Sequence, residues 1–158
     1  MKTLTVDVAV IGSGTAGLAA YRAARARGVR ALLIEAGDYG TTCARVGCMP
    51  SKLLIAAAEA SHAIEHAAGF GVHVEGAKRV DGREVMARVR RERDRFVGFV
   101  VDGVENIPSV DRLRGRARFL DRNTLDVDGH TRVAARAIVV ATGSRPIVPA
   151  LLHGAGDR

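Results

Sequence analysis

The chain has 158 residues, of which 47% are hydrophobic and 26% are charged, a composition typical of a globular domain and not of a disordered chain. The formal net charge of +7 raises the possibility of nucleic-acid binding, but aromatic residues make up only 4% and tryptophan is absent, which argues against a base-stacking surface. The densest basic cluster, the arginines between positions 88 and 95, falls on a helical pattern and is interpreted as a solvated face. These features favour neither a nucleic-acid nor a membrane partner.

The N-terminal third predicts a parallel βαβ unit. A buried strand over Thr3–Ile11 leads into a glycine turn over Gly12–Gly17, and an alanine-rich helix over Leu18–Arg27 ends at Gly28. A second buried strand follows over Val29–Glu35. The early apolar stretch is interrupted by Asp7 and is therefore interpreted as part of this unit and not as a signal peptide, so a cytoplasmic location is expected.

The remainder predicts two long helices followed by short strands. A helix is expected over Pro50–His66, and Asp81 is placed to cap a second helix that carries apolar residues at helical spacing. Three short strands then suggest an antiparallel meander, with turns at Asp121-Arg122-Asn123 and at Asp128-Gly129; the strands are 116–120, 124–127 and 131–133. A further buried strand over Ala137–Ala141 is expected beside a parallel core that includes a strand ending at Leu120. The predicted fold class is α/β: a Rossmann-like domain with a parallel sheet, helices and a small antiparallel meander.

The segment from Gly12 to Gly17 matches G-x-G-x-x-G, placed after a predicted strand and before a helix as a dinucleotide-binding turn requires. The first glycine permits a tight turn, the second lets a pyrophosphate approach the backbone, and the third lets helix and strand pack closely. Glu35 ends the second predicted strand, where a carboxylate accepts hydrogen bonds from ribose hydroxyls. The pattern predicts an adenosine dinucleotide site without separating FAD from NAD.

The only two cysteines, Cys43 and Cys48, have four residues between them and precede a predicted helix. A zinc site is not favoured because no second cysteine pair exists, and His62 and His66 are interpreted as surface residues, so no metal is predicted. A helix N-terminus with Lys52 or Arg45 nearby would stabilise a thiolate, which favours a redox role.

Taken with these features, the run from Gly40 to Lys52 resembles the active-site signature of the flavin-dependent pyridine nucleotide–disulfide oxidoreductases, in the branch of lipoamide dehydrogenase, glutathione reductase and mercuric reductase. Three other segments agree: the glycine turn with Glu35, the segment 115–117, and the segment 141–146. Ser51 is more typical of lipoamide dehydrogenase and mercuric reductase than of glutathione reductase. Thr41 and Arg45 depart from the usual glycine and asparagine, which leaves an atypical substrate possible.

The resemblance implies catalytic roles for Cys43, Cys48 and Lys52: Cys43 would exchange with substrate, Cys48 would face the flavin, and Lys52 would lie near it. The FAD-binding residues that the resemblance implies are Gly12, Gly14, Ala16, Gly17, Glu35, Thr42, Cys43, Lys52, Ala117, Thr142 and Gly143. We expect residues 1–150 to form the N-terminal part of an FAD-binding domain and 151–158 to begin a connection to an NAD-binding domain that this chain lacks.

The resemblance further implies a dihydrolipoyl dehydrogenase that oxidises protein-bound dihydrolipoamide with NAD through the cysteine pair and FAD. Its partner would be the lipoyl-carrying protein of a 2-oxo acid dehydrogenase complex, and the full-length enzyme would be a homodimer. The 158-residue chain by itself is expected to be inactive. Two alternatives stay open: a related NAD(P)H-dependent reductase of the mercuric or glutathione type, and a non-catalytic flavin-binding module.

Overall fold

The fold is built on one six-stranded sheet. The computed structural model describes residues 1–144 and 147–154. The strands follow the spatial order β3-β2-β1-β6-β5-β4. Their bounds are β1 Lys2–Ile11, β2 Ala31–Glu35, β3 Arg112–Arg114, β4 Ala117–Phe119, β5 Thr124–Val127 and β6 Thr131–Val140. Because β3, β2, β1 and β6 are parallel while β6, β5 and β4 are antiparallel, the sheet has a Rossmann-like half and a meander half.

Four α-helices accompany the sheet. They are α1 Thr15–Ala26, α2 Thr42–Arg45, α3 Cys48–His66 and α4 Gly82–Glu105. The Asp81 carboxylate accepts hydrogen bonds from the backbone amides of Arg83 and Glu84, which confirms its predicted role as the cap of α4. None of the described helices is long and apolar enough to cross a membrane.

The core lies on both faces of the sheet. On one face, α1 and α4 pack against β1 and β2 through Leu18, Tyr21, Leu33 and Val104. On the other face, the meander covers the same strands; its cluster contains Ala9, Leu32, Ile34, Leu125, Val127, Val133 and Ala135. This two-sided burial explains why the second half of β1 and all of β2 are nearly continuous apolar runs.

The tight turn between β5 and β6 was predicted from its sequence. Asp128 and Gly129 both have positive φ angles, 48° and 70°, as the two central residues of a hairpin turn of this type require. The two strands predicted after this turn, 131–133 and 137–141, are in fact one strand. No glycine or proline interrupts the alanines between them, and β6 pairs with β1 along nearly its whole length.

The expectation that a strand ending at Leu120 joins the parallel core is wrong. That segment is β4, the outer antiparallel strand, and β3 takes its place at the parallel edge beside β2. Pairing with β2 places β3 there although the sequence of β3, Arg-Leu-Arg, has only one apolar residue. Two helices also begin earlier than predicted, α1 at Thr15 and α3 at Cys48.

Candidate functional site

The glycine turn joins β1 to α1, and its three glycines have different surroundings: two are tightly packed and one borders open space. Gly12 has a φ of +104°, and a Cβ on it would lie 2.2 Å from the Ala141 carbonyl oxygen of the neighbouring strand end. A Cβ on Gly17 would lie 1.9 Å from the Gly12 carbonyl oxygen, so helix and turn could not pack as they do. A Cβ on Gly14 would meet nothing within 4 Å. Gly14 therefore leaves open space at the N-terminus of α1, where an anion can approach the backbone.

The Glu35 carboxylate lies at the end of β2 beside this turn. One of its oxygens accepts hydrogen bonds from the Ser13 backbone amide and hydroxyl at 2.7 and 2.9 Å, and the other accepts from the Gly37 amide at 2.8 Å. Burial acts to raise the pKa of Glu35, but the hydrogen bonds from Gly37 and Ser13 outweigh it and hold the pKa below its ordinary value. Glu35 is thus a fixed anion with further lone pairs available to donors in the cleft.

An open cleft of about 490 Å³ runs along the carboxyl ends of the parallel strands. Seven of the predicted FAD-binding residues line it: Gly12, Gly14, Glu35, Thr42, Ala117, Thr142 and Gly143. The other four predicted residues do not: Gly17 is buried beneath the turn, Ala16 is exposed on the first turn of α1, Cys43 faces a different cavity, and Lys52 is exposed on α3. Arg145 and Pro146, the end of the last segment that carried the resemblance, lie outside the described residues.

The segment after β3 forms the far wall of the cleft. Gly115 has a φ of +144°, and a Cβ on it would lie 2.6 Å from the side chain of Val127. Its amide donates to the Glu35 carbonyl oxygen at 2.9 Å, which holds the segment against the end of β2. Only glycine fits both the angle and the space, and Ala117 is thereby placed on the cleft.

The cysteine pair occupies the junction of α2 and α3. Thr41 caps α2 by accepting a hydrogen bond from the Ala44 amide at 3.0 Å, and Cys43 follows in the first turn. Cys48 is the first residue of α3, since the chain turns back tightly at Gly47. Both cysteines are thiols; Cys43 is half-buried and Cys48 is exposed. The short helix α2 and the first turn of the long helix α3 therefore bring the pair together at a helix N-terminus.

The electrostatics of the pair differ in part from the prediction. A hydrogen bond with Cys48, followed by burial and the charge of Cys48, raises the pKa of Cys43, while the charge of Lys52 acts in the opposite direction. Lys52 thus has the stabilising effect expected of it, but the neighbouring thiol outweighs that effect. Arg45 was expected to help and instead donates to the Tyr39 carbonyl oxygen at 3.2 Å and pairs with Asp38 at 3.3 Å.

A second, mainly apolar cavity of about 430 Å³ lies on the other side of α2, between α1 and α4. Its lining residues are Thr15, Leu18, Arg22, Thr41, Cys43, Ala44, Met49, Phe96, Phe99, Val100 and Gly103. Consecutive residues of α2 therefore face different spaces: Thr42 lines the cleft, and Cys43 lines the apolar cavity. The arrangement gives the first thiol of the pair access to an apolar compound in this cavity.

Sequence reasoning missed one residue that holds Glu35 and two residues that line the cleft. Ser13 occupies a variable position of the glycine motif, and its 1% exposure and double hydrogen bond to Glu35 follow only from the strand register. Asp38 and Arg116 line the cleft. They lie in loops after β2 and β3, where no periodic pattern indicates which side chains face inward.

The cleft fits the adenosine diphosphate part of FAD on three observations. Gly14 leaves space beside free amides at a helix N-terminus, Glu35 is an oriented acceptor, and Gly115 permits a close wall. FAD supplies reversible two-electron chemistry when it is bound. The residues present are consistent with such a cofactor.

Comparison with known proteins identifies a family and several relatives. Residues 6–158 match the family model described as pyridine nucleotide-disulphide oxidoreductase. The chain is 36% identical over 149 residues to glutathione reductase of Burkholderia cepacia, covering 94% of this chain and 32% of that enzyme. It is 32% identical over 146 residues to dihydrolipoyl dehydrogenase of Mycoplasma pneumoniae, and the match covers 90% of this chain and 31% of that enzyme. Mercuric reductase of Shigella flexneri is 36% identical over 149 residues, and the match covers 91% of this chain and 26% of that enzyme.

The fold comparison points the same way. The C43S mutant of the HOCl-induced flavoprotein disulfide reductase RclA of Escherichia coli, in a Cu(II) complex, superposes with a TM-score of 0.70 at 22% identity, covering 93% of this chain and 30% of that one. The chain spans about a third of the length of the curated relatives that it matches. The signature around the cysteines, the FAD-type cleft and these matches establish that the chain belongs to the pyridine nucleotide–disulfide oxidoreductase family.

Proposed function

We propose that the chain is the FAD-binding, cysteine-bearing part of a dihydrolipoyl dehydrogenase that oxidises protein-bound dihydrolipoamide with NAD. The observation that carries the proposal is that Cys43 lines the apolar cavity between α1 and α4, while the adjacent residue, Thr42, lines the nucleotide cleft. A dithiol shuttle needs such an arrangement, because the thiol that exchanges with an external disulfide must be open to that compound while lying close to the cofactor region.

In this proposal the cleft residues bind FAD and the cysteine pair carries out the thiol chemistry. Gly12, Gly14 and the N-terminus of α1 receive the pyrophosphate, and Glu35 accepts hydrogen bonds from the adenosine ribose. Thr42, Ala117, Thr142 and Gly143 form the surrounding wall. Lys52 supplies positive charge beside the thiols.

The exchange step can be written on this chain alone, in the direction of lipoamide reduction. The Cys43 thiolate attacks one sulfur of the lipoamide ring; the ring S–S bond breaks, a mixed disulfide forms, and the released lipoyl sulfur takes a proton. The Cys48 thiolate then attacks the Cys43 sulfur, the mixed disulfide breaks, and the second lipoyl sulfur leaves and takes a proton. The Cys43–Cys48 dithiol is oxidised to a disulfide by two electrons and lipoamide is reduced to dihydrolipoamide. Oxidation of dihydrolipoamide is the reverse of these steps.

The lining of the apolar cavity favours a lipoyl group over glutathione disulfide. Phe96, Phe99, Val100, Met49 and Leu18 suit a hydrocarbon ring and arm, and Arg22 is the only charged residue in the lining. Glutathione disulfide would bring several charged groups into this space, where their desolvation would be costly. Ser51 is a serine at a position where serine is typical of lipoamide dehydrogenases. Its hydroxyl donates to the carbonyl oxygens of Gly47 and Cys48, at 2.9 and 3.0 Å.

The remaining features of the proposal concern the whole enzyme. They are NAD as the final acceptor, a lipoyl-carrying protein of a 2-oxo acid dehydrogenase complex as partner, a homodimer and a cytoplasmic location. A glutathione or mercuric reductase is the second candidate, and it is supported by relatives of these types with 36% identity.

The test measures exchange by the reduced 158-residue chain with lipoamide and, separately, with glutathione disulfide. Free thiols are counted over time, and in Cys48→Ser the mixed disulfide on Cys43 is trapped and identified by mass. We expect exchange with lipoamide to be at least tenfold faster. Faster exchange with glutathione disulfide would transfer the assignment to the reductase candidate, and exchange that survives Cys43→Ser unchanged would refute the role of Cys43.

A further inference from the structure

Two histidines lie close together at the end of α3, away from the cysteine pair. His62 and His66 are one helical turn apart, and the centroids of their rings are 4.1 Å apart with an interplanar angle of 71°. Both residues are exposed. Their side chains can therefore adjust without disturbing the core.

The spacing of these imidazoles suits a chelate. Two nitrogens bound to one tetrahedral ion at about 2.0–2.1 Å lie roughly 3.3 Å apart. Histidines four residues apart on one helical face reach that separation, as the H-E-x-x-H helix of zinc proteases illustrates. Rings that already lie 4.1 Å apart need only small side-chain rotations to direct one nitrogen each at a common point.

A carboxylate beside the pair adds a second, independent feature. Glu65 Oε2 lies 3.5 Å from His62 Nδ1, and the other oxygen of Glu65 is paired with Lys78. A carboxylate on Nδ1 orients the ring and leaves Nε2 available, the arrangement that commonly supports metal-binding histidines.

We propose that His62 and His66 bind a divalent late first-row transition-metal ion at the surface, with Glu65 positioning His62. Among residues 1–144 and 147–154, no three His, Cys, Asp or Glu side chains are grouped to hold a metal ion, so water completes the coordination shell. The C-terminal end of α3 carries partial negative charge, which favours a cation there. Imidazole nitrogens select ions such as Ni²⁺, Cu²⁺ and Zn²⁺ over Mg²⁺ or Ca²⁺.

This site is separate from the thiol site. His62 follows Cys48 by 14 residues along α3, which corresponds to about 21 Å at 1.5 Å per residue. Metal binding at the histidines therefore does not depend on the proposed dehydrogenase activity, and either proposal can fail without the other.

The test is calorimetric titration of Ni²⁺ into the full chain carrying Cys43→Ser and Cys48→Ser, which removes competing thiolates. We expect one high-affinity ion per chain. His62→Ala and His66→Ala should each weaken binding by about a hundredfold, because the second imidazole of a chelate binds intramolecularly. His73→Ala, which removes an exposed histidine outside the pair, is the matched control and should change nothing.

Two double variants test whether binding depends on the four-residue spacing of the histidines or only on their number. Ala58 and Ala63 are both exposed on α3, so a histidine fits at either position. Ala58→His in the His66→Ala variant restores the four-residue spacing to His62 and should restore binding, whereas Ala63→His in the same variant should not. Equal affinity in these two double variants, or wild-type affinity in His62→Ala, would overturn the proposal. Glu65→Gln should weaken binding by about tenfold and leave the stoichiometry unchanged.

Discussion

Ser13 donates two hydrogen bonds to the same oxygen of Glu35, one from its backbone amide and one from its hydroxyl, at 2.7 and 2.9 Å. The pair ties the end of β2 to the glycine turn that follows β1, and it orients the carboxylate at the cleft. In the proposed function, the Glu35 carboxylate that holds these two segments together also binds the cofactor.

The first prediction concerns acid stability. Because the pKa of Glu35 is lowered in the folded chain, the charged carboxylate contributes stability that is fully present above its ordinary value of 4.5 and is lost as pH falls through the lower, folded pKa. Glu35→Gln should therefore reduce stability at neutral pH and flatten the loss of stability below about pH 4.5. Urea denaturation from pH 3 to 7 measures this.

Asp81→Asn is the control for that experiment. The pKa of Asp81 is also lowered, by the amide hydrogen bonds of Glu84 and Arg83 and by Arg79, but Asp81 caps α4 far along the chain from the cleft. The effects of the two substitutions should add. A pH profile of Glu35→Gln that is parallel to that of the wild type would show that Glu35 is not a charged acceptor.

The second prediction separates two glycines of the same motif. Gly17→Ala places a methyl group 1.9 Å from the Gly12 carbonyl oxygen, so it should destabilise the chain by about 3 kcal/mol or prevent folding. Gly14→Ala meets nothing within 4 Å and has a φ of −74°, so its stability should stay within about 1 kcal/mol of the wild type. Thermal denaturation of the two variants is the measurement. Equal destabilisation would contradict the described turn.

The third prediction gives opposite signs for two neighbours of Cys43. Cys48→Ala removes the hydrogen bond and charge that raise the pKa of Cys43, so that pKa should fall; Lys52→Met removes a stabilising charge, so it should rise. The pH dependence of iodoacetamide labelling at Cys43, followed by peptide mass, reports both. The control is Lys2→Met, which removes a lysine at the N-terminal end of β1 and should leave the labelling profile of Cys43 unchanged.

The fourth prediction tests the apolar cavity. Gly103 lies in α4 and lines the cavity, whereas Gly98 lies in the same helix outside it. Replacing either with methionine should improve the helix by about 0.5–1 kcal/mol, because glycine is a poor helix former. Only Gly103→Met should slow lipoamide exchange at Cys43, by roughly tenfold if the side chain fills the cavity. Equal rates in the two variants would mean that lipoamide reaches Cys43 by another route.

The sequence contained the signals for the βαβ unit, the capped helix α4 and the turn at Asp128 and Gly129 because each depends on local chemistry: apolar runs, a capping carboxylate and residues that tolerate positive φ. Strand β3 could not be predicted. It has three residues, two of them arginines, and only pairing with β2 makes it a strand. The same reason explains the misplaced strand ending at Leu120, since order within a sheet is a long-range property.

The candidate site also combines residues that local motif spacing predicts with contacts that depend on the three-dimensional fold. The motif spacing predicted Gly12, Gly14 and Glu35 in one cleft, and the structure brings them together. The bonds of Ser13 to Glu35 and the turn of Arg45 toward Asp38 depend on side-chain directions that no spacing encodes. The pKa of Cys43 was misjudged because its nearest partner is the other thiol and not a cation.

The most direct test of the account is titration of FAD into the 158-residue chain, followed by flavin fluorescence, for the wild type, Glu35→Ala and Gly14→Val. We expect binding of one FAD per chain. Glu35→Ala should weaken binding by about ten- to 150-fold, the effect of losing about 1.5–3 kcal/mol of charge-assisted hydrogen bonding. Gly14→Val, which fills the approach to the helix N-terminus, should abolish binding. Equal affinity in all three proteins would contradict the assignment of the cleft as the FAD site.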